Sequence, residues 1–289
     1  MFRNRKNKAK KTMAFVLGGG GARGAFQVGA LRALLEAGIT ADLLVGTSIG
    51  AVNAAAMALW GNDLTAVFAL ELAYGRAAEA ELLDPKLTAL AFQALTGRLG
   101  AQAGQKATEF LVASGITPEL TFADVQGVRL AVIGADLDKG RPVIYGKDPQ
   151  ESILDGVMAS MALPPWFAPV EHDGRHVVDG GLVSNVPIEP ALALGATEII
   201  ALDVDDPASF PGADSSAALT MVYKLVTTVG IRQTYLETEL ARARGVPVHR
   251  IELRSNYATP VWDFSHHKEL IALGYEMTAA WIPTWYQAD

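Results

Sequence analysis

The chain has 289 residues, half of them hydrophobic and 19% charged, with a formal net charge of −7 and no cysteine. That size and apolar fraction suit an open α/β domain whose core is covered on both faces. The missing cysteines exclude disulfides, cysteine-based zinc sites and thiol nucleophiles, and the acidic balance argues against nucleic acid as a partner.

Residues 1–12 form a basic arm carrying Arg3, Arg5, Lys6, Lys8, Lys10 and Lys11. It lacks the apolar stretch of a secretory signal and is expected to be flexible, with a charge that suits anionic headgroups. Residues 13–289 read as a single domain whose motif-bearing part covers about 14–204. Its opening is βαβα: strand 14–17, helix 24–37, strand 43–45 and helix 49–59. Residues 62–125 show helical periodicity without strand signals and are expected to cover the site. Within them Leu83, Leu87, Leu90, Ala91 and Leu95 make one apolar face at helical spacing, which suits core packing or a mobile cover.

Runs 128–135 and 142–145 flank Asp138-Lys139-Gly140, so a hairpin at a sheet edge is expected. A helix over 151–161 stops at Leu163-Pro164-Pro165, and Val177-Val178 leads into Asp179. There follow a helix 188–194, a strand 199–204, a polar loop 205–216, a long helix 217–244, a strand 246–253 and a closing helix 268–281. Trp281, Trp285 and Tyr286 are expected to pack on the core. Strands alternating with helices predict a three-layer αβα sandwich with a mostly parallel central sheet. No apolar run reads as a membrane span of about 20 residues. A soluble protein, cytoplasmic or peripheral at a membrane, is expected.

Three segments carry chemistry. Gly46-Thr47-Ser48-Ile49-Gly50 lies between a strand and a helix, where a sharp turn lifts Ser48 clear of the sheet and the helix dipole favours negative charge beside it. An ordinary glycine-bounded βα turn is the plainer reading. The run Gly18 to Gly24 follows a strand and opens a helix, so it can aim unpaired backbone amides at developing negative charge. Its Gly19, Gly21 and Gly24 also have the spacing of a dinucleotide-binding turn. That reading wants an acidic residue at the end of the second strand, where Gly46-Thr47-Ser48 stands instead. The loop better suits an oxyanion hole, with Gly20 and Gly21 as donors and Arg23 holding the loop or adding positive potential.

The base is the open choice. None of the five histidines, His172, His176, His249, His266 and His267, lies in a motif that marks a triad partner, although a triad with a late histidine such as His249 is the competing arrangement. Asp179 precedes Gly180 and Gly181, which let the backbone pack tightly around a fixed carboxylate, and a Ser48–Asp179 dyad follows from that reading. A partly dry site is expected to raise the Asp179 pKa. Asp203, Asp205 and Asp206 are read as a solvated loop, with no metal assigned.

Gly19 to Gly24, Gly46 to Gly50 and Asp179-Gly180-Gly181, in that order, resemble the patatin-like phospholipase family. The stretch 162–170 and Asn185-Val186-Pro187 resemble that family's surroundings of the aspartate. The likeness covers about residues 14–200. It implies lipid acyl hydrolysis on an αβα sandwich, acting on lipid or a membrane surface without metal, calcium or cofactor. It also implies Ser48 as nucleophile, Asp179 as base, Gly20, Gly21 and Arg23 in the oxyanion loop, and Gly19, Gly24, Gly46, Gly50, Gly180 and Gly181 as its supports. The chain departs from plant storage patatins in its basic arm and its lack of a secretory signal.

Overall fold

A computed structural model describes residues 11–80, 101–164, 166–206 and 217–286. The expectations for the arm up to residue 10, the apolar face within 82–99, Pro165 and the loop 207–216 lie outside them. Eight strands form one sheet: β1 (Met13–Leu17), β2 (Leu43–Thr47), β3 (Arg129–Asp136), β4 (Arg141–Tyr145), β5 (Val170–His172), β6 (Arg175–Asp179), β7 (Glu198–Asp203) and β8 (Val248–Glu252). The described helices are α1 (Gly24–Glu36), α2 (Ile49–Trp60), α3 (Leu64–Ala80), α4 (Ala101–Ala113), α5 (Ile153–Ser160), α6 (Ile188–Ala193), α7 (Ala217–Ala243) and α8 (His267–Tyr286).

The order β3-β2-β1-β7-β8 is parallel throughout. Its strands are short apolar runs because helices bury both faces. Phe15, Leu17, Leu44 and Val132 share a core with Phe26 of α1, Ala55 of α2, Leu70 of α3 and Leu270 of α8. Their neighbours in sequence, Ala14, Val16, Leu43 and Val45, meet Ile188 and Ala191 of α6 and Ala241 of α7 on the other face. The two-residue period of a strand thus divides one sequence between two helix layers, giving the αβα sandwich.

The chain steps from β1 outward to β2 and β3, then resumes on the other side of β1 with β7 and β8. The helices that follow β1 and β7 therefore lie on opposite faces of the sheet, and the carboxyl ends of the strands are where α/β proteins place their sites.

The other end of the sheet is antiparallel. The expected hairpin joins β3 to β4, and β4 pairs with no other described strand. A second hairpin, β5 to β6, was not expected. It turns on Asp173-Gly174, both with positive φ (49° and 68°), as a two-residue turn between twisted strands requires. The helical reading of 62–125 holds for α3 and α4. Gly115, at φ 96°, ends α4 in a left-handed cap, and beyond it 116–125 contain a 3-10 turn at Phe122–Asp124 and a single antiparallel bridge from Thr121 to Ser152.

The register of β3 positions the site. Up to Ile133, β3 pairs with β2; from Gly134 onward it pairs with β6, while β4 occupies its opposite edge. Since β6 runs against β3, it approaches β2 head-on in the same row. Asp179, opposite Gly134, arrives where Thr47, opposite Ile133, leaves.

Candidate active site

Ser48 sits between β2 and α2 with φ 55° and ψ −123°, a conformation that costs a non-glycine residue about 1–3 kcal/mol. Such a turn is the elbow that presents a side chain above the edge of a parallel sheet. Its flanking glycines are required by proximity. A Cβ on Gly46 would collide with the Gly50 carbonyl, and one on Gly50 with the carbonyl of Leu17. The elbow has a support not read from the sequence: the Ser160 hydroxyl accepts the Ser48 amide at 2.8 Å and donates to the Ile133 carbonyl at 2.6 Å. Ser160 ends α5 and is fully buried.

Asp179 is 4% exposed. Its carboxylate accepts the Gly181 amide at 2.8 Å and lies beside the Ser48 hydroxyl, at the same cavity. Burial pushes its pKa up to about 6, against the opposing pull of those two donors. The structure thus brings together the serine and the carboxyl group that the sequence separates widely.

The glycine loop lies beside them, with Gly19 against the Ser48 Cβ and Gly21 facing the same cavity. Most amides of the loop are engaged: Gly18 donates to Leu202 O, Gly19 to Asn185 O, Ala22 to Val261 O and Arg23 to Gly20 O. Those of Gly20 and Gly21 make no hydrogen bond among the described residues. Arg23 is 3% exposed. It donates through Nε to the Gly20 carbonyl at 3.3 Å and through Nη1 to the Asp206 carbonyl at 3.4 Å, with the Asp205 carboxylate 4.0 Å from Nη2. In a trans peptide the carbonyl of one residue and the amide of the next point in opposite directions. The grip of Arg23 on Gly20 O therefore turns the Gly21 N–H away from the guanidinium. Of the two roles considered for Arg23, its contacts match that of holding the loop.

Behind the loop runs a buried polar chain that the sequence reading missed. Tyr74 donates to Asn53, Asn53 donates to Gln27 and to the Gly24 carbonyl, and Gln27 donates to the Gly18 carbonyl at 2.7 Å. Asn53 and Gln27 are fully buried. Two amides within the apolar runs of α1 and α2 were the available signal. Asn53→Ala is expected to lower stability by about 1–3 kcal/mol, since it strips partners from buried groups; urea denaturation checks this.

Glu237 of α7 is a further buried carboxyl. It accepts the Ser184 hydroxyl at 2.9 Å and the Glu189 amide at 2.7 Å, and burial pushes its pKa up to about 7. Through Ser184, whose carbonyl accepts Thr47 Oγ1, it ties α7 to the loop after Asp179.

Two readings change. Asp203 and Asp206 are buried rather than solvated. Asp203 pairs with Arg250 at 2.7 Å and with Arg254 at 3.4 Å, and Asp205 faces Arg23. Asp203, the last residue of β7, and Asp205 thus face arginines, of which Arg23 is buried. None of the histidines borders the cavity at Ser48. His249 contacts Glu198 and Trp285, so the late-histidine arrangement has no geometric basis. Trp281 and Trp285 pack on the core as expected, while Tyr286 is 57% exposed.

Ser48 and Asp179 open onto an apolar cavity of about 250 Å³ enclosed largely by α2, α3 and α4. Parallel strands and a serine on a strained strand-to-helix elbow define an α/β protein of the kind that presents such a serine at the carboxyl edge of its sheet. Residues 15–192 match the family profile described as patatin-like phospholipase, and the chain belongs to that family. It is 27% identical to rat patatin-like phospholipase domain-containing protein 7, over 96% of this chain and 21% of that protein. It is 32% identical to the lysophospholipase nte1 of Aspergillus terreus, over 67% of this chain and 12% of that one. The chain thus spans about a fifth or less of these relatives' length. Among solved structures it is similar to VipD from Legionella pneumophila, at TM-score 0.48 and 16% identity, over 96% of this chain and 67% of that one. No described helix is long and apolar enough to cross a membrane.

Proposed function

We propose that this protein hydrolyses carboxylic esters of phospholipids or related lipids through a Ser48–Asp179 dyad and an acyl-enzyme. The observation that carries the reading is the Ser48 hydroxyl set beside the buried Asp179 carboxylate at an apolar cavity. Family membership supports it.

Ser48 Oγ attacks the ester carbonyl carbon while its proton passes to Asp179. The amides of Gly20 and Gly21 receive the negative charge that develops on the carbonyl oxygen, each donor being worth about 3 kcal/mol in the transition state. The bond to the alcohol breaks, and Asp179 returns the proton to the departing oxygen. Water then attacks the acyl-serine, giving its proton to Asp179, and the fatty acid leaves as Ser48 regains a proton. Arg23 acts throughout as a positioning residue for the Gly20–Gly21 peptide.

The test is a mass-spectrometric survey of products from mixed lipid vesicles, with wild type and Asp179→Asn side by side. Wild type is expected to release fatty acid and lysolipid, and Asp179→Asn almost none. Equal release by both proteins would sink the dyad, and no release by either would sink lipid ester hydrolysis.

A further inference from the structure

The cavity has a direction. Ile49, Val52, Ala56 and Trp60 of α2 border it at helical spacing, forming one stripe that starts beside Ser48 and ends at the last turn. α4 borders it in the same sense. Its Ala107 packs with Ala162 and Phe167 near Asp179, whose amide donates to the Ala162 carbonyl. Its far end brings Ser114 to the cavity, and the adjoining Gly115 lies against the Trp60 indole. Between these ends the wall is apolar apart from the Tyr74 hydroxyl, which is already bonded to Asn53, and the indole N–H of Trp166.

From Ser48 to Trp60 is twelve helical residues, or about 18 Å at 1.5 Å per residue. The hydrocarbon core of a bilayer is about 30 Å thick, so one leaflet's acyl chain reaches about 15 Å. An extended chain advances about 1.2 Å per bond, which makes 18 Å about 15 carbons. We infer that the cavity measures the acyl chain of the substrate. It takes a single long fatty acyl chain laid along α2, with its carbonyl at Ser48 and its methyl end at Trp60. This selects chains of about 14 to 16 carbons. The inference rests on the proposed role of Ser48 and adds the substrate's acyl class to it. The occupant is an acyl chain rather than a peptide side chain because the trough is too long for one residue and its α2 wall between Ser48 and Trp60 is carbon only, formed by Ile49, Val52 and Ala56. It is also continuous with the serine that would carry the acyl group.

The test uses p-nitrophenyl esters of C4 to C18 acids competing in one detergent at fixed mole fraction, with the released acids counted by mass spectrometry. Competition reports ratios of kcat/KM and cancels differences in partitioning. Wild type is expected to prefer C14 to C16. Ala56 lies eight residues from Ser48, about 12 Å along the helix. Ala56→Phe should therefore move the optimum to about C8 to C10, lowering the C16-to-C8 ratio by about tenfold or more, the scale on which apolar pockets discriminate. Trp60→Ala should move the optimum the opposite way, toward C18, so the inference does not depend on one variant folding. Unmoved optima in both variants, or equal losses at every length, overturn the inference while C4 turnover by wild type keeps the Ser48 reading intact. Failure of wild type on every ester overturns both.

Discussion

Ser48→Ala is expected to lower ester turnover by about 10⁵-fold or more and to abolish labelling by a fluorophosphonate, measured with a short soluble ester and by intact mass. The size follows from the chemistry: removing a nucleophile leaves only loop and binding contributions, and members of one catalytic unit are lost together rather than in increments. The double variant Ser48→Ala/Asp179→Asn should accordingly be no slower than Ser48→Ala alone. A substantial further loss would show that Asp179 acts independently of Ser48. The same residue carries backbone strain. Ser48→Gly, equally inactive, should be more stable than Ser48→Ala by about 1 kcal/mol or more, because φ 55° costs glycine little. Chemical denaturation of the two variants reads this difference free of any effect on catalysis.

Asp179→Asn is expected to lower kcat/KM by about 10²- to 10⁴-fold, the usual span for a lost general base. Wild-type kcat/KM should fall on the acid side with an apparent pKa near the 6 set by burial of Asp179, because the base works only when ionised. A profile that stays flat down to pH 4.5 would remove Asp179 from that role. Stability should respond with the opposite sense. The folded-state pKa lies above the ordinary value of 3.8, so the folded protein favours the protonated acid. The contribution of this group to stability is then fully present below about pH 4 and is lost as pH rises through about 6. Displacement from 3.8 to about 6 corresponds to about 3 kcal/mol against the ionised form. Asp179→Asn should therefore be more stable than wild type at pH 7.5, by up to that amount, and nearly equal to it at pH 4. Glu237, raised to about 7 by burial, has the same sign and remains in the variant. The variant's stability should thus still decline with pH, less steeply. Equal urea midpoints at pH 7.5 would mean that the ionised carboxylate is not penalised by its surroundings.

Much of this could be read along the chain because the signals are local. The short apolar run Ala14 to Leu17, the glycines that frame Ser48, and the Asp138-Lys139-Gly140 turn each act within a few residues, where sterics and composition decide the outcome. The hairpin at Asp173-Gly174 had an equally local signal and was overlooked because its strands are only three and five residues long. The buried aspartates around the end of β7 show the opposite case. An Asp-rich segment reads as solvated until Arg250 of β8 and Arg254 just beyond it, much later in the chain, are seen to pair with Asp203. Ser160, Gln27 and Asn53 carry no motif at all, and their importance comes from backbone groups brought to them by other elements.

By itself the sequence determined the alternation of strands and helices, the strained turn at Ser48 and the glycine loop after the first strand, since each is enforced by backbone sterics and nearest-neighbour periodicity. Only the tertiary structure decided that Asp179 meets Ser48, that Arg23 faces away from the cavity, and that the apolar faces of α2, α3 and α4 enclose a trough instead of closing on one another. The physical reason is register: β6 takes the place of β2 along β3, and hydrogen bonds between distant strands are set by how the whole sheet pairs, which no short stretch of chain encodes.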